Sequence, residues 1–197
     1  MNNLHLFELI NAGPGLIGWR LQLTRALAEY LIYLVPLAMV AAWIRGSHAS
    51  RRELLQMLLS VAFALALAQI VSHLWPQARP FALHLGTQYL AHADEPGLPS
   101  DHVTVFWSLG MAALMTRRFD LWSMPLMAMG LLIGWSRVYL GVHFPFDVLA
   151  AMPVALAGVA LARALRGPLL PTMVRLLYVY HRLEGRLHAL HSASRRS

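Results

Sequence analysis

Five apolar runs limit what this chain can become. They lie at about residues 26–44, 54–75, 101–116, 121–137 and 146–165, separated by polar connections that carry arginines, acidic residues and prolines. A helix needs about 20 apolar residues to cross a bilayer, and within lipid the backbone has to satisfy its own polar groups. The runs predict an all-α fold, an integral membrane bundle of about five transmembrane helices with interfacial helices at the termini. Composition points the same way. The chain is 58% hydrophobic and only 13% charged, with mean hydropathy +0.53, too apolar for an ordinary soluble domain.

The ends read differently from the middle. Residues 3–12 are mildly apolar and are broken off by Gly13-Pro14-Gly15, which suggests an interfacial helix or a disordered tail. Met1 to His5 lacks the basic region of a cleaved signal, so the first span is expected to direct insertion itself. Residues 1–166 read as one membrane domain and 167–197 as a basic cytoplasmic tail. In that tail Met173, Leu176, Leu177, Tyr180, Leu183, Leu187 and Leu190 recur at helical spacing, with Arg175, Arg182 and Arg186 between them. The pattern fits an amphipathic helix on the membrane surface, or else a solvated tail acting through its charge.

All 16 basic residues are arginine, and the formal charge is +7. They fall between apolar runs rather than along one stripe, so nucleic acid is not an expected partner; the bilayer is. Five spans place Arg45, Arg51, Arg52, Arg117, Arg118 and the tail arginines on one side. The positive-inside rule makes that side cytoplasmic. The connections 79–102 and 137–147 then face outward, away from the cytoplasm. With no cysteine, disulfides and thiolate metal sites are excluded.

Three polar clusters share that outer face: Arg79-Pro80; Pro99-Ser100-Asp101-His102; and Arg137 with His143 and Asp147. Ionisable groups at the ends of membrane spans point to function. Pro145 suits the first turn of a helix, which lets Asp147 reach back to His143 and orient it as a base or nucleophile. Two arginines offer forked donors suited to phosphate oxygens. Ser100 is placed to begin a helix whose free N–H groups attract an anion. Two histidines can divide attack on phosphorus from protonation of the leaving oxygen. Asp101 reads equally as a helix cap or as part of the chemistry. His5, His48, His73, His84, His92 and the tail histidines read as interface or core residues.

The set Arg79-Pro80, then Pro99-Ser100-Asp101-His102, then Ser136-Arg137 with His143 and Asp147, resembles the type 2 phosphatidic acid phosphatase superfamily. The resemblance spans about residues 72–147. It implies metal-independent phosphate hydrolysis with no cofactor: His143 as the nucleophile that becomes phosphohistidine, Asp147 as its orienting partner and His102 as the acid. Arg79, Arg137 and Ser100 would be phosphate ligands, together with a backbone N–H near Asp101. The family's first motif usually has lysine seven residues before the arginine. Ser72 stands there instead, with His73 beside it. The Pro-Ser-Asp-His form and Arg79-Pro80-Phe81 resemble bacterial undecaprenyl-diphosphatases of the bacitracin-resistance type, which implies a lipid diphosphate substrate. Phosphatidic acid and phosphatidylglycerol phosphate are the alternative substrates. A metal-dependent hydrolase would use His102, His143, Asp101 and Asp147 as ligands, but the arginines would repel the cation. A lipid transporter would place polar groups within its spans rather than at their ends.

Overall fold

The computed structural model describes residues 2–169 and, beyond them, 171, 172, 174, 175, 178–180 and 182. Regular structure among the described residues is helical throughout. The principal helices are α1 (Asn3–Ile10), α2 (Gly18–Glu29), α3 (Leu34–Arg45), α4 (His48–Leu74), α5 (Asp101–Ala113), α6 (Ser123–Tyr139) and α7 (Pro145–Ala164).

The first span starts earlier than the hydropathy suggests and is broken. α2 and α3 form one helical segment from Gly18 to Arg45, interrupted by a 3₁₀ turn at Leu31–Tyr33. Pro36 has no N–H to donate to Ile32, and the chain tightens just before it. Only 6% of the most apolar eighteen-residue window of this segment is buried in the protein. Leu34, Leu37, Val40 and Ile44 lie exposed on it. An apolar face of this extent is a lipid-facing surface.

α4 starts where the Ser47 side chain accepts the N–H of Ser50 at 3.2 Å. Its 27 residues make it about 40 Å long. The Gly18–Arg45 segment, α4 and α7 are each long and apolar enough to cross a membrane. α6 has the 17 residues expected of its run, but α5, with 13, ends at Ala113, short of the run that reaches about residue 116. The reason lies in packing. α5 is the hub, lying against α4, α6 and α7 with nine of its residues buried, so protein rather than lipid surrounds it. Its buried hydroxyls are satisfied inside the helix, Thr104 donating to the Ser100 carbonyl at 2.9 Å and Ser108 to that of Thr104 at 2.6 Å.

α4 and α7 meet backbone to backbone. A Cβ on Gly158 would stand 2.5 Å from Ala64, so only glycine fits the seam. At one end of the bundle lie the end of α4, the start of α5, the end of α6 and the start of α7. The opposite end is basic: Arg118 pairs with Glu53 at 3.1 Å, Arg163 reaches the Met115 sulfur at 3.5 Å, and Arg51 lies 4.9 Å over the Tyr180 ring. Met173, Leu176, Leu177, Leu183, Leu187 and Leu190, the stripe predicted for the tail helix, lie outside the described residues, as does Arg186.

α1 is not merely interfacial. Phe7 is fully buried with its ring 5.3 Å from that of Phe144, and Asn3 accepts the N–H of Phe146 at 3.0 Å. Asn11 then ties the 84–99 connection down, accepting from Thr87 N–H at 2.8 Å and donating to the Thr87 and Tyr139 carbonyls. Arg25 donates twice to the Tyr89 carbonyl, at 2.8 and 2.6 Å. The N-terminal segment thus fastens the long polar connection over the non-basic end of the bundle.

Candidate active site

At that end a polar cavity of about 330 Å³ opens between the helix termini. Gln69 and Ser72 of α4 form one wall, Asp101 and His102 of α5 a second, and Arg137 of α6 and His143 a third. Arg79, His92, Glu95, Pro96 and Pro99 of the long connection close it.

His143 sits at the end of a tight turn. α6 stops at Tyr139, and Gly141 takes φ +80° where a Cβ would collide with the Thr87 carbonyl. Val142 N–H returns to the Arg137 carbonyl at 3.0 Å, which fixes His143 just ahead of α7. Asp147 is the third residue of that helix. Its Oδ2 accepts the Phe144 N–H at 2.8 Å and faces His143 Nδ1 at 3.2 Å. Both side chains are buried. Burial holds the His143 imidazole well below its ordinary pKa, and Arg137 and Arg79 push it the same way. The ring is therefore neutral. Since Asp147 can only accept, Nδ1 carries the proton and Nε2 keeps its lone pair.

Arg79 faces that lone pair. Its NH1 lies 3.0 Å from His143 Nε2 and donates to the Val142 carbonyl at 2.9 Å, while its Nε donates to the Glu95 carbonyl at 2.8 Å. Burial lowers the Arg79 pKa, with Asp147 the strongest opposing charge. Arg137 is buried and donates through NH1 to the Ala28 carbonyl at 3.2 Å. Its Nε has no partner among the described residues, nor do Ser100 Oγ and Asp147 Oδ1, although all three atoms are buried. Orphaned buried donors carry a cost that an incoming acceptor removes. Ser100 is the N-cap residue of α5, but its side chain makes no cap bond. Its N–H goes to the Asp147 carbonyl at 3.0 Å, joining the second cluster to the third. Asp101 is the first residue of α5 rather than its cap, and Gln69 approaches its carboxylate at 3.4 and 3.5 Å.

Arg79, Asp101, His102, Arg137 and His143 thus border one cavity, and Asp147 and Ser100 back it. At the lysine position Ser72 faces the cavity, while His73, about 100° further round α4, is exposed. His92 is expected from the sequence to be an interface or core residue. It borders the cavity, its ring 6.4 Å from that of His143. Among the described residues no three His, Asp or Glu side chains are grouped to hold a metal ion. A neutral imidazole with a lone pair beside two guanidiniums and a helix N-terminus is equipped to attack a centre that carries several anionic oxygens.

Comparison with known proteins agrees with this reading. Residues 53–169 match the PAP2 superfamily. The chain is 40% identical over 157 residues to YbjG of Escherichia coli K12, provisionally named an undecaprenyl-diphosphatase, covering 79% of this chain and 78% of that one. It is 32% identical over 130 residues to the undecaprenyl-diphosphatase BcrC of Bacillus subtilis 168, covering 66% of each. The fold superposes on the crystal structure of Aquifex aeolicus LpxE with TM-score 0.67 at 20% identity, covering 82% of this chain and 94% of that one. The spanning helices and these relatives make it an integral membrane protein. With more than half of its length inside the matched region and the motif residues gathered round one cavity, the chain belongs to the PAP2 superfamily.

Proposed function

We propose that this protein is a metal-independent lipid phosphatase that removes the terminal phosphate of undecaprenyl diphosphate through a phosphohistidine on His143. The observation that carries the reading is the buried His143, held at Nδ1 by Asp147 and faced at Nε2 by Arg79 within a cavity bordered by Arg137. The names of the two relatives supply the substrate.

In this mechanism Arg79 turns from Nε2 to a phosphate oxygen as the substrate enters. Nε2 attacks the terminal phosphorus, and the bond from phosphorus to the bridging oxygen breaks. Lipid monophosphate leaves, taking a proton from His102 in the imidazolium form that the arriving phosphates favour. Arg137 Nε and Ser100 Oγ, without a partner among the described residues, bind the transferred group and offset the transition-state charge, with the N-terminus of α5 behind them. Water then attacks the phosphohistidine, gives its proton to His102 and releases phosphate and free His143. Asp147 holds the Nδ1 proton throughout, and Asp101 borders the path of the leaving group.

The basic end of the bundle lies in the cytoplasm by the positive-inside rule, and the cavity opens at the outer face of a bacterial cytoplasmic membrane. The lipid tail stays in the bilayer while its head reaches the arginines. Purified protein assayed in chelator against undecaprenyl diphosphate, phosphatidic acid and phosphatidylglycerol phosphate tests the reading. Phosphate release is expected to be fastest from the diphosphate and lost in His143→Ala. Faster turnover of phosphatidic acid would overturn the substrate, and full activity in His143→Ala the mechanism.

A further inference from the structure

We propose that His92 is a ligand for the second, lipid-proximal phosphate of a diphosphate head, and so a determinant of selectivity for diphosphates over monophosphate esters. The inference rests on the proposed function and assigns part of its cavity that the three motifs leave unexplained.

The placement of His92 is built rather than incidental. Its Nδ1 lies 3.1 Å from the Ala93 carbonyl, which can only accept, so Nδ1 holds the proton and Nε2 is the free ring nitrogen. The segment that carries it is fastened by Arg79, which donates to the Glu95 carbonyl at 2.8 Å and the Pro96 carbonyl at 3.4 Å. The guanidinium that faces His143 therefore also positions the loop that carries His92. The two imidazoles stand edge to face at 6.4 Å, across one cavity.

The chemistry calls for a group there. The three non-bridging oxygens of the transferred phosphoryl group are matched by Arg79, Arg137 and Ser100. The leaving phosphate carries its own negative charge and needs a separate partner. The α4 wall offers only neutral Gln69 and Ser72. In the empty cavity burial lowers the His92 pKa, and Arg79 and Arg137 oppose its charging while Glu95 favours it. An arriving phosphate reverses that balance. It brings the proton to Nε2 and gains a charge-assisted donor at the point where a diphosphate extends beyond a monophosphate.

Full-length protein in detergent tests this with His92→Leu and His92→Lys. In His92→Leu, KM for undecaprenyl diphosphate should rise about tenfold with kcat within about twofold, while KM for phosphatidic acid holds. His92→Lys, which restores a cation, should recover KM. Inorganic pyrophosphate should raise the melting temperature of the wild type and of His92→Lys but not of His92→Leu, and orthophosphate should affect all three alike. Equal losses on both substrates, failure of lysine to rescue, or pyrophosphate stabilisation retained in His92→Leu would each overturn the assignment. Wild-type protein that spares diphosphates, or activity that survives His143→Ala, would instead refute the proposed function. The pyrophosphate measurement still decides the role of His92 in that case.

Discussion

Arg79 NH1 stands 3.0 Å from Nε2 of His143, on the side of the ring away from the 3.2 Å contact between Nδ1 and Asp147. The imidazole is thus held at both nitrogens by groups of opposite charge. Asp147 decides which nitrogen carries the proton, and Arg79 occupies the lone pair until an oxyanion draws it away. An occupied lone pair is also one that a stray proton does not take.

Arg79→Lys should be far from conservative. A single ammonium cannot serve the Glu95, Pro96 and Val142 carbonyls and also meet His143 as the fork does. kcat/KM should fall about 10²–10³-fold, with a lower melting temperature in detergent. Phosphate release and thermal unfolding measured side by side check it; wild-type values in both would show that the fork is dispensable.

Asp147→Asn tests the proton placement. The amide matches the carboxylate in shape but can turn a donor toward Nδ1, which favours the wrong tautomer. Turnover should drop about 10⁴-fold, as when such a change misorients the histidine of a catalytic triad. In wild type quenched in alkaline denaturant, labelled substrate should leave a base-stable label on His143 that is lost on acidification. In Asp147→Asn that label should form slowly, and in His143→Ala not at all.

The pH dependence follows from the depressed pKa of His143. Below the ordinary value of 6.5 the unfolded chain takes up a proton that the folded protein refuses, so ν_U exceeds ν_N and stability falls as pH falls. The stability that His143 contributes is complete above 6.5 and is lost on the way down to its folded value. His92, lowered in the same direction, adds to the slope. Melting temperatures between pH 8 and 5 should decline below 6.5, and His143→Gln should flatten that decline. The acid limb of kcat/KM should likewise lie below 6.5, because the folded nucleophile is already neutral there.

The legible parts of this site were the local ones. His143 and Asp147 are four residues apart across a helix start that Pro145 announces, and Ser100 precedes a helix, so helical geometry alone places both. The length of α5 was not legible in the same way, since hydropathy counts apolar residues and cannot tell a neighbouring helix from lipid. Asn11, Arg25 and His92 carry no local signal at all. Their roles depend on contacts across 76, 64 and 51 residues of chain, made by a connection without regular periodicity. The one cue was that the longest polar break in mid-chain lies between two motifs. His73 stands beside the lysine position, but one step along a helix turns a side chain by about 100°, and that turn removes it from the cavity.

Orientation can be read directly, because the chain has no native thiol. Ala93→Cys and Ala49→Cys replace exposed residues on the site end and the basic end. A membrane-impermeant maleimide should label the first in intact cells and the second only after permeabilisation. The reverse pattern would place the cavity in the cytoplasm.

Gly158→Val should disturb the protein at a distance. The added side chain meets Ala64 backbone with no room to yield, and overpacking of this kind costs about 1–3 kcal/mol. The melting temperature should fall, and kcat should fall more than KM rises, since Asp147 rides on the displaced helix. Gly167→Val, where a Cβ meets nothing within 4 Å, is the matched control and should leave both unchanged.

The seam between Gly158 and Ala64 also gives the molecule a preferred direction of give. Two helices in backbone contact have no compressible layer between them, so α4 and α7 travel as a single stiff rod, and Asp147 and the Gln69–Ser72 wall travel with it. The opposite flank is looser: α2 meets α6 sparingly, and the 3₁₀ break at Leu31–Tyr33 interrupts its span like a knuckle. One flank of the bundle is thus close-packed and the other lightly packed, an asymmetry set by the absence of a single methyl group.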